Sequence, residues 1–285
     1  MDFKSDMQAR IQEIEAALQT YIPKQEAFPP VIFEAMGYSL FAGGKRLRPM
    51  MVLAACEAVG GKKEMAVPFA CALEMIHTYS LIHDDLPAMD NDDYRRGRLT
   101  SHKVYGEDMA ILAGDGLLHH AMETMAQACY ENPCKETTGA MLAIAKGAGI
   151  HGMLTGQVVD VYFEGKPIDK ETLDFIHIHK TAAMIRGALE AEVVEKFGLA
   201  GEKIGVAFQI LDDILDVTST MEELGKPIHS DEKNEKTTYV TLYGIEESRK
   251  IAAILSDEAV AIWKELGESC DFLQALTNYL LQRTY

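Results

Sequence analysis

Apolar and polar positions along this chain alternate with the period of an α-helix over most of its length, whereas strand patterns are scarce. The pattern predicts five long helices, over residues 64–86, 108–130, 137–161, 170–197 and 201–217. Short glycine and proline clusters separate the helical stretches, and none is long enough for a linker between domains. The predicted breaks lie at 29–30, 43–44, 60–61, 132–133, 165–167, 198 and 201. We therefore expect an all-α fold, with residues 1–285 forming a single helical domain.

The last of these predicted helices has an unusual distribution of polar side chains. Residues 208–217 read FQILDDILDV, in which the polar positions are i, i+3, i+4 and i+7 and every other position is apolar. The polar residues therefore share one narrow face: Gln209, Asp212, Asp213 and Asp216. A surface helix has the opposite proportions. Ionised carboxylates in apolar surroundings need a cation, a metal ion or an ordered polar cavity.

A second acidic cluster lies in the segment SLIHDDLPAMDNDDYRRGR, where Asp84, Asp85 and Asp90 stand between apolar residues. Asp84 and Asp90 would not share a face of an unbroken helix, but Pro87 disfavours helix continuation and allows the chain to turn back. Both carboxylates can then reach one site. Magnesium typically takes one or two carboxylates together with waters and phosphate oxygens. Two such clusters favour a metal site over the alternative of a solvated charge run or a helix cap.

The polar segment from about 218 to 239 follows the acidic helix directly and contains Lys226 and Lys236. It is interpreted either as a mobile surface loop or as a lid that carries these lysines onto bound phosphates. His177 and His179 alternate within a predicted helix, so they do not share a face as a zinc pair would, and they are interpreted as ordinary residues.

Composition and charge narrow the classes of function. The chain has 27 Lys and Arg against 44 Asp and Glu, which argues against a general nucleic-acid or anionic-membrane surface. No apolar run approaches the ~18 residues of a membrane span, and the N-terminus does not resemble a signal peptide. The five cysteines form no CxxC pair, and an odd number fits a reducing compartment. We therefore expect a cytoplasmic protein whose basic patches, GGKRLRP and RRGR, bind a small polyanion.

A series of motifs extends along nearly the whole chain. In order, they are GGKRLRP, EMIHTYSLIHDD, DDLPAMD, RRG, AGD at 113–115, Lys180-Thr181, FQ before DDILD, and LGK followed by KTTY. This ordered set resembles that of the trans-polyprenyl diphosphate synthases, specifically the bacterial farnesyl diphosphate synthase group. The resemblance implies an isoprenoid synthase-type helical bundle around a deep central cavity, usually a homodimer, with the two aspartate motifs facing each other.

The resemblance also implies roles for individual residues. About three Mg²⁺ ions would bridge the carboxylates and an allylic diphosphate, with Asp84, Asp90 and Asp212 as ligands, and with Asp85, Asp213 and Asp216 as ligands or their supports. The positions that hold isopentenyl diphosphate correspond to Lys45, Arg48, His77 and Arg96, and Gly44 is a further candidate for substrate binding. Those that hold the allylic diphosphate correspond to Arg95, Lys180, Lys226 and Lys236. Thr181 and Gln209 would stabilise the allylic carbocation, and Arg283 lies near the place of a basic residue in relatives.

Product length is predicted from Tyr79, which stands five positions before Asp84, where family members often form the floor that stops the growing chain. An aromatic floor, about 7.5 Å further along the helix, together with the two extra residues in DDLPAMD, resembles enzymes that stop at fifteen carbons. The sequence therefore favours a farnesyl diphosphate synthase that extends dimethylallyl or geranyl diphosphate. Geranylgeranyl or geranyl diphosphate synthase is the alternative within the family, and Tyr79 as plain core is the alternative role.

Three competing hypotheses remain. The pair His83-Asp84 in an all-α chain is compatible with an HD-type metal phosphohydrolase, but that hypothesis explains neither DDILD nor RRG. A non-catalytic partner subunit would usually lack one or both aspartate motifs. A terpene cyclase would not need the residues assigned to isopentenyl diphosphate.

Overall fold

The computed structural model describes residues 2–22, 28–189, 194–219 and 236–281. The predicted lid with Lys226, apart from its two ends, lies outside these residues, as does Arg283.

The described chain is helical apart from one short hairpin, which confirms the predicted all-α class. Helices α1 to α6 span Phe3–Tyr21, Pro30–Leu40, Leu47–Ala58, Lys63–Asp84, Ser101–Tyr105 and Glu107–Glu131. Helices α7 to α10 span Lys135–Ala148, Met153–Tyr162, Lys170–Ile176 and Ala183–Leu189, with a π-helical segment at His177–Ala182 between the last two. Helices α11 to α13 span Val194–Thr218, Tyr239–Leu266 and Asp271–Leu281. Strands β1 (Tyr94–Arg95) and β2 (Arg98–Leu99) pair antiparallel after α4.

Three of the predicted helix boundaries are wrong. The single helix expected over 137–161 is two helices, α7 and α8, because the backbone leaves the helical region at Gly149 and Gly152. The helix expected over 170–197 is interrupted by the π-helical segment. Helix α11 begins before the expected breaks at Gly198 and Gly201 and runs through both. A glycine costs a helix only about 1 kcal/mol, and burial of the apolar residues around them, such as Phe197 and Ile204, outweighs that cost.

The hydrophobic core lies around α4, which packs against α3 and α6, while α11 packs against α12. Trp263 of α12 is fully buried, with its indole N–H donating to Thr277 of α13 at 3.0 Å. Among the described residues, α4 alone would qualify as a membrane span by length and composition. A core helix meets the same two criteria, and 61% of the apolar window in α4 is buried inside the protein.

Candidate functional site

One cavity of about 810 Å³ is lined by the C-terminal half of α4, the turn that follows it, α8, the π-helical segment, α11 and residues 236–238. Nearly all of the predicted site residues that the structure describes lie on its wall. These are Gly44, Lys45, Arg48, His77, Tyr79, Asp84, Asp90, Arg95, Arg96, Lys180, Thr181, Gln209, Asp212, Asp213 and Lys236. Asp85 and Asp216 are buried outside the lining. The two aspartate motifs, far apart in sequence, therefore face a common space.

The turn after α4 brings the ends of the first aspartate motif together. Helix α4 ends at Asp84, three residues before Pro87. The backbone N–H of Asp90 then donates to the carbonyl of Asp84 at 2.9 Å, and Asn91 donates to Leu86 at 3.1 Å. The chain thus turns back as predicted from Pro87, and it places the carboxylates of Asp84 and Asp90 on the same cavity wall.

Asp85 points away from that wall and pairs with Arg95. Its Oδ1 atom accepts hydrogen bonds from Nε and Nη2 of Arg95 at 2.7 and 2.6 Å, and only 4% of the residue is exposed. Burial raises the pKa of Asp85 to about 6, against the lowering effect of Arg95. The carboxylate is therefore ionised at neutral pH, and it holds the guanidinium of Arg95 at the cavity edge.

A network of three carboxylates and two ammonium groups occupies the acidic side of the cavity. Lys180 Nζ lies 2.7 Å from Asp160 Oδ2 and 3.8 Å from Asp84 Oδ2. Lys236 Nζ lies 2.8 Å from Asp90 Oδ1 and 3.6 Å from Asp160 Oδ2. Burial acts to lower the pKa of Lys180, but Asp84, Asp160 and Asp90 raise it overall, so the amine is charged. Asp160 thus connects the lysines that approach Asp84 and Asp90.

The second aspartate motif is fixed by hydrogen bonds within α11 and to its neighbours. Asp213 accepts from Gln209 Nε2 at 3.2 Å and from the backbone N–H of Tyr239 at 3.1 Å. The hydroxyl of Thr181 donates to Gln209 Oε1 at 2.9 Å. Asp212 and Asp213 both line the cavity, but Asp213 is only 3% exposed and accepts the hydrogen bonds above, whereas Asp212 is half-buried. Asp212 is therefore the carboxylate of this motif that is most accessible to a ligand.

A cationic cluster occupies another part of the same wall. Arg48 Nη1 lies 3.3 Å from His77 Nε2, and Arg96 Nη1 donates to the carbonyl of Gly43, with its guanidinium against Gly44. Burial, together with Arg48 and Arg96, lowers the pKa of His77 well below its usual value, so the ring is neutral and accepts from Arg48. Burial also lowers the pKa of Arg48, and the nearby Arg96 adds to this effect. Crowding of like charges of this kind is relieved by a bound polyanion.

Arg46, in the same sequence motif, has a different role. Its guanidinium is buried and donates to Glu74 at 2.6 Å, Glu15 at 2.8 Å and the carbonyl of Leu40 at 2.7 Å. These bonds tie α1, α2 and α4 to the loop before α3, so Arg46 holds that loop in place.

Comparisons with known proteins agree with this geometry. The polyprenyl synthetase family model matches residues 29–267. The chain belongs to the polyprenyl synthetase family. It is 50% identical over 256 residues to a geranylgeranyl diphosphate synthase of Cyanophora paradoxa, covering 86% of this chain and 85% of that protein. It is 48% identical to a chloroplastic geranylgeranyl pyrophosphate synthase of Capsicum annuum, covering 99% and 79%.

Among solved structures, this polyprenyl synthetase resembles a geranyltransferase of Helicobacter pylori complexed with magnesium and isoprenyl diphosphate. The TM-score is 0.85 at 34% identity, and the match covers 99% of this chain and 97% of that chain. The family assignment and the all-α fold that the sequence predicted are thereby confirmed, and the protein is a prenyltransferase. The HD-type phosphohydrolase hypothesis is no longer needed.

The sequence interpretation missed three residues of the polyprenyl synthetase site. Asp160 and Gln157 of α8 both line the cavity, and Gln157 Nε2 donates to Asp84 Oδ1 at 2.5 Å. Their spacing of three residues on one helix face was the available signal. His177, interpreted as ordinary, is buried on the cavity wall with Nε2 3.9 Å from Asp213 Oδ2 and its ring stacked on Tyr239.

The small residues before Gln157 serve close packing. A Cβ atom at Gly156 would lie 2.1 Å from the backbone nitrogen of Lys180, so only glycine allows α8 to approach the π-helical segment this closely. This approach brings Asp160 within reach of Lys180.

The donor set of this polyprenyl synthetase fits magnesium. Asp84, Asp90 and Asp212 offer hard carboxylate oxygens to a shared cavity. Within the described ranges, no three His, Cys, Asp or Glu side chains converge into a complete metal site. Magnesium usually fills its shell with waters and substrate phosphate oxygens and takes only one or two carboxylates, so these carboxylates fit it without converging into one group.

We predict that His177 makes the protein less stable as pH falls. Burial is the main cause that lowers the pKa of His177 from 6.5 to about 4 in the folded protein, whereas the unfolded chain keeps the ordinary value. The contribution of neutral His177 to the free energy of unfolding is complete above pH 6.5. This contribution, at most about 3 kcal/mol, is lost as pH falls towards 4. The measurement is urea unfolding of wild type and His177→Gln at several pH values. The free-energy difference between the two proteins should narrow as pH falls, and parallel curves would contradict the prediction.

Proposed function

We propose that this protein transfers an allylic prenyl group to isopentenyl diphosphate and releases inorganic diphosphate. The observation that supports the proposal is the presence of two opposite ligand environments in one cavity. Asp84, Asp90 and Asp212 suit an allylic diphosphate bound through metal ions, while Arg48 and Arg96 suit a diphosphate bound directly. Two diphosphates held in one cavity place the two prenyl groups side by side.

We assign the acidic side to the allylic substrate. Magnesium, in the number of three that the resemblance implies, would be held by Asp84, Asp90 and Asp212 and would supply charge neutralisation for the departing diphosphate. Lys180, Lys236 and Arg95 add fixed positive charge at the same wall and orient the leaving group. Asp85 supports Arg95, and Asp213 and Asp216 support Asp212 by fixing α11.

The residues between the two diphosphates serve the reacting carbon atoms. Cleavage of the allylic carbon–oxygen bond leaves a carbocation, which the double bond of isopentenyl diphosphate attacks to form a new carbon–carbon bond. A proton then passes from the new chain to the released diphosphate, which restores an alkene. Thr181 donates to Gln209, and this bond leaves the Gln209 carbonyl dipole fixed at the cavity wall. We assign these two side chains to carbocation stabilisation.

Geranylgeranyl diphosphate is the product that we propose, because the Cyanophora paradoxa and Capsicum annuum relatives, at 50% and 48% identity, are named for it. Farnesyl diphosphate is a second candidate, supported by one observation: the bulky side chain of Tyr79 stands on the cavity wall five residues before Asp84. The two candidates differ in where the cavity ends for a growing prenyl chain.

A homodimer is also proposed, and an exposed apolar face supports it. Four residues on one side of α8 recur at i, i+4, i+7 and i+8 and are 39% to 66% exposed: Leu154, Val158, Val161 and Tyr162. Ile111 and Leu112 of α6 are exposed as well. Apolar patches of this kind mark protein interfaces. Residence in the cytoplasm stays a prediction, since the Capsicum annuum relative is chloroplastic.

Incubation with magnesium, isopentenyl diphosphate and dimethylallyl diphosphate, followed by mass spectrometry, tests both the reaction and the product. A twenty-carbon diphosphate supports the main proposal, a fifteen-carbon one supports the second candidate, and absence of any elongation contradicts both.

Tyr79→Met should convert most of the product to chains at least one five-carbon unit longer, since it removes a rigid ring from the cavity wall. Tyr130→Met is the control, because Tyr130 is 82% exposed outside the cavity.

Replacing Arg96 by lysine should selectively weaken the binding of isopentenyl diphosphate. Lysine keeps the charge but loses the planar fork that binds phosphate oxygens in pairs. We expect KM for isopentenyl diphosphate to rise roughly ten- to hundredfold, with KM for the allylic substrate little changed. Steady-state kinetics with each substrate varied in turn provide the measurement. Arg98→Lys is the matched control, because Arg98 lies over the ring of Tyr38 outside the cavity lining. Equal effects on both KM values would contradict the assignment.

Introducing a charge on the apolar face of α8 should break the proposed dimer. In Val158→Glu a carboxylate replaces an apolar side chain that is 56% exposed, and its burial in an interface would be costly. Light scattering after size-exclusion chromatography should show a dimer for wild type and a monomer for the variant. Ile254→Glu, at a 58% exposed apolar position on α12, should remain dimeric. A monomeric wild type, or a variant with unchanged mass, would contradict the proposal.

A further inference from the structure

Tyr79 is held in place by a contact that the reaction chemistry does not use. The rings of Tyr79 and His83, one turn apart on α4, meet edge to face with centroids 5.6 Å apart and planes at 84°. Both side chains line the cavity. The position of the Tyr79 ring therefore depends on where the His83 ring stands.

His83 is in turn anchored to the neighbouring helix α6. Its Nε2–H donates to the backbone carbonyl of Ile111 at 3.1 Å, and the same nitrogen lies 4.0 Å from Asp115 Oδ1. A backbone carbonyl inside a helix is a rigid acceptor, so this bond fixes the imidazole relative to α6 rather than to its own helix alone.

Gly114 provides the space in which the imidazole lies. A Cβ atom at this position would stand 2.2 Å from His83 Nε2 and 2.5 Å from Cδ2, so any side chain would displace the ring. Glycine in the interior of a helix such as α6 is unfavourable relative to alanine. The His83 imidazole occupies the space that a side chain at position 114 would need, which explains the glycine.

We propose that His83 and Gly114 are positioning residues that determine the length of the prenyl product through Tyr79. Gly114 admits the imidazole to the surface of α6, the carbonyl of Ile111 fixes it there, and the imidazole supports the phenol ring at the cavity wall. The inference rests on the chain elongation proposed above, and it holds for a fifteen- or a twenty-carbon wild-type product.

The test compares product profiles at equal substrate conversion, so that a difference in the amount of folded enzyme does not determine the result. His83→Ala removes the support, so the ratio of the next longer product to the wild-type product should rise about two- to tenfold, as expected for loss of one edge-to-face pair. Gly114→Ala should also change this ratio, because its methyl group displaces the imidazole. In the double variant the methyl group enters the space vacated by the ring, and the profile should match that of His83→Ala alone.

Gly116→Ala is the matched control, two residues further along α6. Its added Cβ would meet Met36 Sδ at 3.0 Å, the flexible part of a side chain outside the cavity lining, so the profile should not change. Unchanged profiles in both His83→Ala and Gly114→Ala, while Tyr79→Met lengthens the product, would overturn the inference. So would additive effects in the double variant. Failure of wild type to elongate any substrate would instead contradict the proposed function itself.

Discussion

Asp160 holds two ammonium groups inside the cavity, and the arrangement of the acidic wall depends on this interaction. Its carboxylate pairs with Lys180 of the π-helical segment and with Lys236, just before α12. Those lysines in turn approach Asp84 and Asp90, so one carboxylate on α8 connects four charged groups from different parts of the chain. Buried charges are tolerated only when they are paired in this way. Three carboxylates against two ammonium groups leave this wall acidic, while Arg48 and Arg96 make another part of the cavity cationic.

Two backbone irregularities, the π-helical segment and the end of α4, lie beside the charged residues that Asp160 connects. In a π-helical segment the extra residue per turn changes which side chains face a given neighbour, and such segments often occur at functional sites. Here the adjacent residues Lys180 and Thr181 serve different partners, Asp160 and Gln209. The end of α4 is a second example, because a helix continuing beyond Asp84 would carry Asp90 to another face. Regular helices would not have placed these side chains in one cavity.

The residues that could be predicted without the family resemblance are those with a strong local signal. An acidic stripe in an apolar helix and a proline between aspartates are visible within ten residues, and the structure places both motifs on one cavity wall. The signal for Asp160, its spacing from Gln157 on one helix face, is weak, since a Gln and an Asp on one face of an amphipathic helix are common on protein surfaces. Its partner Lys236 is 76 positions away, and only the fold brings the two together.

The helix breaks show the same limit, because glycine alone does not decide where a helix ends. Gly198 and Gly201 lie inside α11, whereas Gly149 and Gly152 separate α7 from α8. The local cost of glycine is similar in all four places. What differs is the tertiary environment: Phe197 and Ala200 beside the first pair are buried, and the second pair lies at a point where α8 must approach Lys180 through Gly156. Contacts between distant segments therefore determine where these helices begin and end, because intrinsic helix propensity does not distinguish the four glycines.

Product length illustrates why a residue type is weaker information than its position. Tyr79 alone favours a fifteen-carbon product, while the names of the Cyanophora paradoxa and Capsicum annuum relatives favour twenty carbons. A phenol ring limits a growing chain only if it is kept from rotating or shifting aside when the chain arrives. The resistance comes from His83, and behind it from the carbonyl of Ile111 and the open surface at Gly114. The end of the cavity is thus a property of two packed helices, and the same tyrosine on a looser support would stop the chain at a different length.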